Sequence, residues 1–531
     1  MPGVTMSLYE RLKARLRGSD AGAGVAETQT SPPGDEGLAP VNEQLVQWIW
    51  REQYLDPSRL RTCSGKEVRI VEPGTWNREA GPDFRMASLI IGGVPVRGDV
   101  EIHLHSADWD RHQHQRDFEY NGVVLHAFLW RSDDANFDFR HNGTRIERLE
   151  LAPALHPDLD TLRRSLADDD HDPEERSSAD PAPGTCADAV RRVDPDLLRQ
   201  FLFAAARERM ETRVARLRAH MRSESPDQAF YQAIMTSMGF KGGKTLLFLL
   251  AKRTPLDELR LYLRGLPASD AVAALEAILL HVANLVALPA HSAETHDGPC
   301  GQPPADAETQ AYVNNLNRWW TEFAGYYDDR VIPPTRRWFA GVRPVNFPAR
   351  RLAGVARILC THDFRSGLTE TLVRRVEASA ARAPATATEW RREVAALTAL
   401  FEQPAEGYWG HRYTLGGARS ARPAHLVGEE RARTIVFHAL IPMALLRARE
   451  QGCQRLEDHI WNLHDNFPAL AENSLARAMR QRLFGAAGLP AGINARMERF
   501  HQALYQIYYD CCGNAARLPD GCLFRVAPAC Q

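Results

Sequence analysis

The chain has 531 residues, 44% of them apolar and 25% charged, with a formal net charge of −2. That length excludes one small core and predicts two or three domains of ordinary soluble composition. The near-zero charge excludes a bulk positive field, so any polyanion site has to be a local patch.

Five lysines against sixty arginines, with Ala- and Pro-heavy loops, read as GC-rich coding bias rather than as selected phosphate forks. The nine cysteines follow no framework spacing, no run of 18 apolar residues occurs, and the N-terminal segment lacks a signal-type apolar region. These features predict a reduced, cytoplasmic, soluble protein with no membrane partner.

Residues 1–41 read as a disordered leader, rich in Gly, Ala, Ser, Thr and Pro beyond a short basic segment at 6–17. Order is expected from Asn42, which can cap the helix "EQLVQWIWREQYL", where Leu45, Trp48, Ile49 and Glu52 fall at helical spacing. A strand "KEVRIVEPG" ends at Pro73-Gly74. Strands near 83–91 and 96–105 flank a Gly92-Gly93 turn, and "NGVVLHAFLW" (121–130) reads as a central strand buried on both faces. A pair of strands near 137–151 completes an α/β module over residues 42–160.

Residues 161–190 form a charged, Pro-containing linker. The segments that follow, such as "DPDLLRQFLFAAARERMETRVARLRAHM" and "SPDQAFYQAIMTSMGF", repeat a cap, an early Pro or Asp, then a helix. No fixed repeat period appears, so residues 191–531 are an all-α region rather than a solenoid. The predicted fold class is an α/β module (helix, three strands, helix, strand) followed by a large all-α region. Protein partners or a second copy of the chain would dock on the helical part.

The chemistry concentrates in "GPDFRMASLIIGGVPVRGDVEIHLH". Alternate residues on a strand share a face, so Asp99, Glu101, His103 and His105 point one way and Val100, Ile102 and Leu104 the other. Stacked carboxylates repel unless a cation or proton lies between them. Pairing of the two strands as a hairpin brings the residues near Asp83 opposite those near Glu101 and His103, where two oxygen ligands could hold one divalent ion. Downstream, "HLHSADWDRHQHQRDFEYNGVVLH" adds His112 and His114 as candidate ligands. His126, inside an apolar strand, reads as a hydrogen-bonded core residue.

This order of parts resembles the PD-(D/E)XK phosphodiesterase superfamily of restriction-endonuclease-like folds. In that resemblance the first helix carries Glu43 and Glu52, the Pro-Asp pair is Pro82-Asp83, and the third-strand motif is Glu101-Ile102-His103. It implies Mg²⁺ or Mn²⁺ at Asp83 and Glu101, with Glu43 auxiliary. His103 departs from the usual Lys, and would act as a base or as a nitrogen ligand favouring Mn²⁺ or Zn²⁺. Across most of the chain from about residue 42, "PGTWNREAGPDFRMASLIIGG", "RPVNFPARRLAGVARIL" and "RFHQALYQIYYDCCG" also resemble a bacterial family catalogued as domain of unknown function 2851.

Other motifs carry less. "GFKGGKT" (239–245) lacks the Gly that a phosphate loop needs at position 238, which is Met238, and reads as a helix–helix turn. "RPVNFPARR" (343–351) offers Arg343 and Arg350 as candidate substrate contacts, with His105 a third. A rigid connector whose arginines pair with neighbouring acids explains it better. Cys511, Cys512, Cys522 and Cys530 lack the spacing of a zinc site.

The sequence therefore predicts a metal-dependent phosphodiesterase, a nuclease acting on DNA or RNA, with Asp83, Glu101, His103 and Glu43 catalytic. The alternatives are a non-catalytic scaffold with a degenerate nuclease-like module, and a metal-dependent hydrolase of some other substrate.

Overall fold

A computed structural model describes residues 7–16, 41–52, 54–77, 81–155, 158–159, 162, 186–221, 224–239, 243–286, 306–332, 342–343, 346–382, 384–485, 488–489 and 492–512. Most of the expected leader and linker, residues 287–305, Cys522 and Cys530 lie outside the described residues. The chain divides into two compact units, one of residues Leu38–Ala167 and one of Met1–Gly37 with Asp168–Gln531. Helix α1 (Leu8–Leu16) belongs to the second, where Tyr9 is buried and stacks on Phe201 at 5.3 Å.

The first unit is built on one mixed sheet. Helix α2 (Glu43–Glu52) starts where the Asn42 side chain accepts the Leu45 N–H at 3.0 Å, satisfying a donor that the helix itself leaves open. Its buried Leu45, Val46, Ile49 and Trp50 pack on the sheet, and the Trp50 indole N–H donates to the Pro73 carbonyl at 3.0 Å. The strands are β1 (Val68–Glu72), β2 (Thr75–Trp76), β3 (Phe84–Ile91), β4 (Val94–His105), β5 (Val123–Trp130), β6 (Phe137–Phe139) and β7 (Arg145–Glu150). They lie in the order β1-β3-β4-β5-β7-β6, with β2 also on β3.

β3 and β4 form the hairpin, turned at Gly92-Gly93, where both residues have positive φ (57° and 81°) that glycine adopts at little cost. β5 then returns parallel to β4, and β7 parallel to β5. Parallel pairing places Glu101 beside His126 and His103 beside Phe128, which makes them one face of the sheet. Val100, Ile102, Leu125 and Ala127 make the other face and join the core under α2.

The polar face is roofed by the connection between β4 and β5. A four-residue helix α3 (Asp108–Arg111) and two 3₁₀ turns fill it, anchored by Trp109 and Tyr120 in a small core with Val123 and Ile146. The Trp109 indole N–H donates to the Phe139 carbonyl at 3.2 Å.

The second unit is helical among its described residues and holds two apolar cores. Ser225 caps the helix Pro226–Met238, accepting the Gln228 N–H at 3.2 Å. A helix, not a strand, precedes Gly239, so the "GFKGGKT" segment has the helix–helix setting its spacing suggested. No helix among the described residues is long and apolar enough to cross a membrane.

Candidate metal centre

The β3–β4 register aligns Phe84 with Val100, which sets Asp83 opposite Glu101. The two acids are laced together through their backbones. The Asp83 N–H donates to Glu101 Oε2 at 3.0 Å, and the Ile102 N–H donates to Asp83 Oδ2 at 3.0 Å. The Gln47 side-chain amide, one helical turn after Glu43 on α2, donates to Asp83 Oδ1 at 2.8 Å. Glu101 Oε1 is left facing the other way, toward imidazoles.

It lies 3.6 Å from His103 Nε2 and 3.5 Å from His114 Nε2. His103 Nε2 is in turn 3.1 Å from His112 Nδ1 and 3.2 Å from His114 Nε2. The ligand atoms of the three histidines all fall within 4.8 Å of one another, with His103 and His114 buried and His112 exposed. Donors about 2.0–2.1 Å from a tetrahedral zinc stand roughly 3.3 Å apart. The four contacts to His103 and Glu101 match that edge length.

Hydrogen bonding alone does not account for this packing, because the tautomers are fixed from behind. His126 is fully buried, and its Nδ1 sits 2.6 Å from the Asp138 carboxylate, so Nδ1 carries a proton and Nε2 a lone pair. His103 Nδ1 lies 2.9 Å from that Nε2 and has to donate to it. His103 Nε2 is therefore a bare lone pair with two imidazole nitrogens and a carboxylate oxygen around it. One lone pair accepts one proton well, whereas the three imidazole nitrogens lie close enough together to share a cation, with Glu101 Oε1 beside two of them. The Asp138–His126–His103 chain is the arrangement by which proteins orient metal-bound histidines. Arg148 anchors it, with Nε 3.3 Å from Asp138 and two hydrogen bonds of 2.7 and 2.9 Å to Asp133.

The loop supplies its two histidines through a strained residue. Gln113, between them, has φ = 63°, the left-handed region that costs a side-chain-bearing residue about 1–2 kcal/mol. The twist there lets the flanking imidazoles face one centre. The His114 ring also packs on Tyr120, with centroids 3.9 Å apart.

Without an ion the electrostatics run against the charged forms of Asp83, Glu101, His103, His114 and Glu43. Burial pushes Asp83 up to about 7, and burial together with the Asp83 charge holds Glu101 well above the carboxylate range. Burial lowers His103, helped by His126, His114 and His112, and pushes His114 down to about 4. Burial also raises Glu43, opposed by the His112 charge. Neutral imidazoles are the metal-binding form, and a divalent ion reverses the penalty on the carboxylates.

A family model described as a protein of unknown function, DUF2851, matches residues 43–473. The chain belongs to the DUF2851 family. No curated protein and no solved structure matches it. The DUF2851 match takes in the whole cluster, from Glu43 through Arg148.

Asp83, Glu101, His103, His112 and His114 thus come together, with Glu43 close enough to be felt electrostatically. Asp99 does not join them. It lies where the β4–β5 register shifts, its Oδ1 accepts the Met86 N–H at 3.0 Å, and its Oδ2 fills the space that a side chain at Gly122 would need. His105 is partly exposed, leaning on Trp130 and held by Asp108, whose Oδ2 accepts its backbone N–H.

Arg343 is exposed, in the helical unit's sequence rather than the sheet unit's. Arg350 is buried and donates to the carbonyls of Trp409, Ala424 and His425, while Arg351 donates to that of Met238. The connector's buried arginines therefore fasten backbone, correcting the expectation that acids would pair with them. Gln47, Asp138 and Arg148 were absent from the sequence candidates. Gln47 had a signal, its i+4 spacing from Glu43 on one helix face. Asp138 and Arg148 had none, since only the sheet order brings them behind His126.

Proposed function

We propose that the sheet unit is a metal-dependent hydrolase of phosphodiester bonds, in its most direct form a nuclease, with the cation held by His103, His112, His114 and Glu101. The observation that carries this reading is the bare Nε2 of His103, set by His126 and Asp138, with two further imidazole nitrogens and a carboxylate oxygen converging on it. Three nitrogen donors favour Zn²⁺ or Mn²⁺ over Mg²⁺. Such an ion, when bound, polarises a phosphoryl oxygen and acidifies coordinated water.

The chain's own groups supply the rest. His112 is the exposed member, so substrate and water reach the site on its side. Asp83 and Glu43 flank Glu101 and are the carboxylates placed to take a proton from attacking water or to hold a second cation. The Asp138–His126 pair keeps His103 in the ligating tautomer. Phosphodiesters are favoured as substrate by the succession of a Glu-bearing helix, antiparallel strands with the Asp83/Glu101 pair, and a parallel β5, the order the nuclease superfamily uses. A hydrolase of another substrate is the second reading, favoured by the net charge of −2 and by the burial of Arg350 in backbone contacts.

The test is hydrolysis of bis(4-nitrophenyl) phosphate and of single- and double-stranded DNA and RNA by the full chain with Zn²⁺, Mn²⁺ or Mg²⁺. Activity should require Zn²⁺ or Mn²⁺ and disappear in His103→Ala and Glu101→Ala while circular dichroism stays unchanged. Metal binding with no phosphodiester cleavage would reassign the centre to a scaffold or another substrate. Equal rates in wild type and variants would overturn the site.

A further inference from the structure

The helical unit carries a partly open cavity of about 240 Å³, walled by the helices Pro195–His220, Pro226–Met238, Gly243–Arg253 and Glu498–Ile507 and by the segment Glu429–Leu440. Its lining is unbalanced in charge. Arg213, Arg216, Lys244 and Arg431 face it, against Glu430 and Glu498. Glu498 has both oxygens engaged, Oε2 accepting the Leu470 N–H at 2.7 Å and Oε1 the Gln502 amide at 2.6 Å. Glu430 is exposed. By formal charge the lining carries four cations against two carboxylates, with Arg213 also donating to Gln502 Oε1 at 2.9 Å and Arg431 to the Ser237 carbonyl at 2.9 Å.

A second observation is independent of charge. Gln232 lines the cavity, is 1% exposed, and has neither its Nε2 nor its Oε1 hydrogen-bonded. Buried polar groups are nearly always paired, and an amide left open at both ends marks a position where something else completes it. The wall opposite also departs from regular helix. Val436–Leu440 is a π-helical turn that carries His438 into the lining, a distortion common at functional sites.

We propose that this cavity binds a small phosphorylated anion, its phosphoryl oxygens held by Arg213, Arg216, Lys244 and Arg431 and its neutral part hydrogen-bonded by the Gln232 amide. A phosphate monoester or pyrophosphate carries about two or more negative charges at neutral pH, which answers the cationic excess. Guanidinium forks match the geometry of phosphate oxygens. A cavity of this size takes a phosphoryl group with a short organic part.

The positive field reaches deeper groups. Burial, with the charges of Arg213 and Arg216, pushes Arg209 down to about 9, and burial with Arg213, Lys244 and Arg209 depresses His438. Lys244, from the "GFKGGKT" segment, thereby acquires a role without a phosphate loop. The inference does not depend on the hydrolase reading of the sheet unit.

The test titrates pyrophosphate, glycerol 3-phosphate and citrate into the full chain by calorimetry at fixed ionic strength. EDTA is present so that the imidazole centre does not compete for the probes. At least one phosphate probe should bind at least tenfold more tightly than citrate, and Lys244→Met and Gln232→Leu should each weaken it tenfold or more. In the unmodified chain, the same probe should slow amide exchange in the helices 226–238 and 429–440. No phosphate binding, citrate binding equally well, undiminished binding by both variants, or protection elsewhere would each overturn the proposal. The exchange measurement decides the matter even if a variant fails to fold.

Discussion

Each unit buries a carboxylate, and the two are treated in opposite ways. In the helical unit Glu276 accepts hydrogen bonds from the Tyr312 hydroxyl and, at 2.9 Å, from the Trp409 indole N–H, so its neighbours are donors. In the sheet unit Glu101 Oε1 meets imidazole nitrogens grouped about a bare lone pair. A buried acid surrounded by donors is finished as it stands and serves packing. One whose outer oxygen faces imidazole nitrogens is left for a proton or a cation to complete, and the proposed centre assigns it a cation.

The sharpest way to break that contrast is to remove a ligand. His103→Ala should abolish retention of Zn²⁺ or Mn²⁺ through desalting, read by elemental analysis, while Glu276→Leu should leave metal content unchanged. Loss in both would mean that the metal depends on global fold. Next in size is the buried relay. Asp138→Asn keeps the shape but weakens the hold on the His126 tautomer, and should lower metal affinity by about 10–100-fold in a competition titration. An unchanged affinity would deny the relay its orienting role.

The finished site should respond in stability instead. Glu276→Leu strands the buried Tyr312 hydroxyl, while the Trp409 indole N–H keeps the Tyr312 oxygen at 2.7 Å, and should cost about 1–3 kcal/mol in denaturant unfolding. Burial raises the Glu276 carboxyl above its ordinary 4.5 despite those donors. A carboxyl raised in the folded state contributes stability that is full below pH 4.5 and is lost as pH climbs through the raised value. Glu276→Gln, which still accepts both bonds, should flatten that slope and equal or exceed wild type at pH 8. An unchanged slope would show that Glu276 titrates normally.

The smallest effect is expected at the loop. Gln113→Gly relieves left-handed strain and should raise stability by up to about 1 kcal/mol. Metal affinity should fall only a few-fold, because the His112–His114 geometry is held less tightly. A large affinity loss would make the Gln113 side chain itself part of the site.

Much of the sheet unit was legible because its information is local. The alternation of "GDVEIHLH" and the Gly92-Gly93 turn announce the hairpin, and Asn42 announces the start of α2, but a register shift between Phe84 and Ala87, which no local pattern announces, is what moves Asp83 from opposite Ile102 to opposite Glu101. What was not legible depends on exceptions to regular geometry or on distant pairing. Asp99 is taken up by the Met86 N–H at a bulge in β3 that strict alternation does not announce. The left-handed Gln113 decides that His112 and His114 converge, and no residue preference announces such a conformation at a glutamine. His126 was readable as a hydrogen-bonded core histidine, but its partners Asp138 and His103 meet it only through the order β4-β5-β7-β6. In the helical unit, the spacing of "RPVNFPARR" gave no sign that Arg350 and Arg351 would bond carbonyls rather than acids.

X-ray absorption at the metal edge, on the full chain reconstituted with one equivalent of Zn²⁺, tests the central claim most directly. The account predicts a nitrogen-dominated first shell at about 2.0–2.1 Å with multiple-scattering features of three imidazoles, reduced to two in His114→Ala. An all-oxygen shell, or a spectrum unchanged by that substitution, would contradict it.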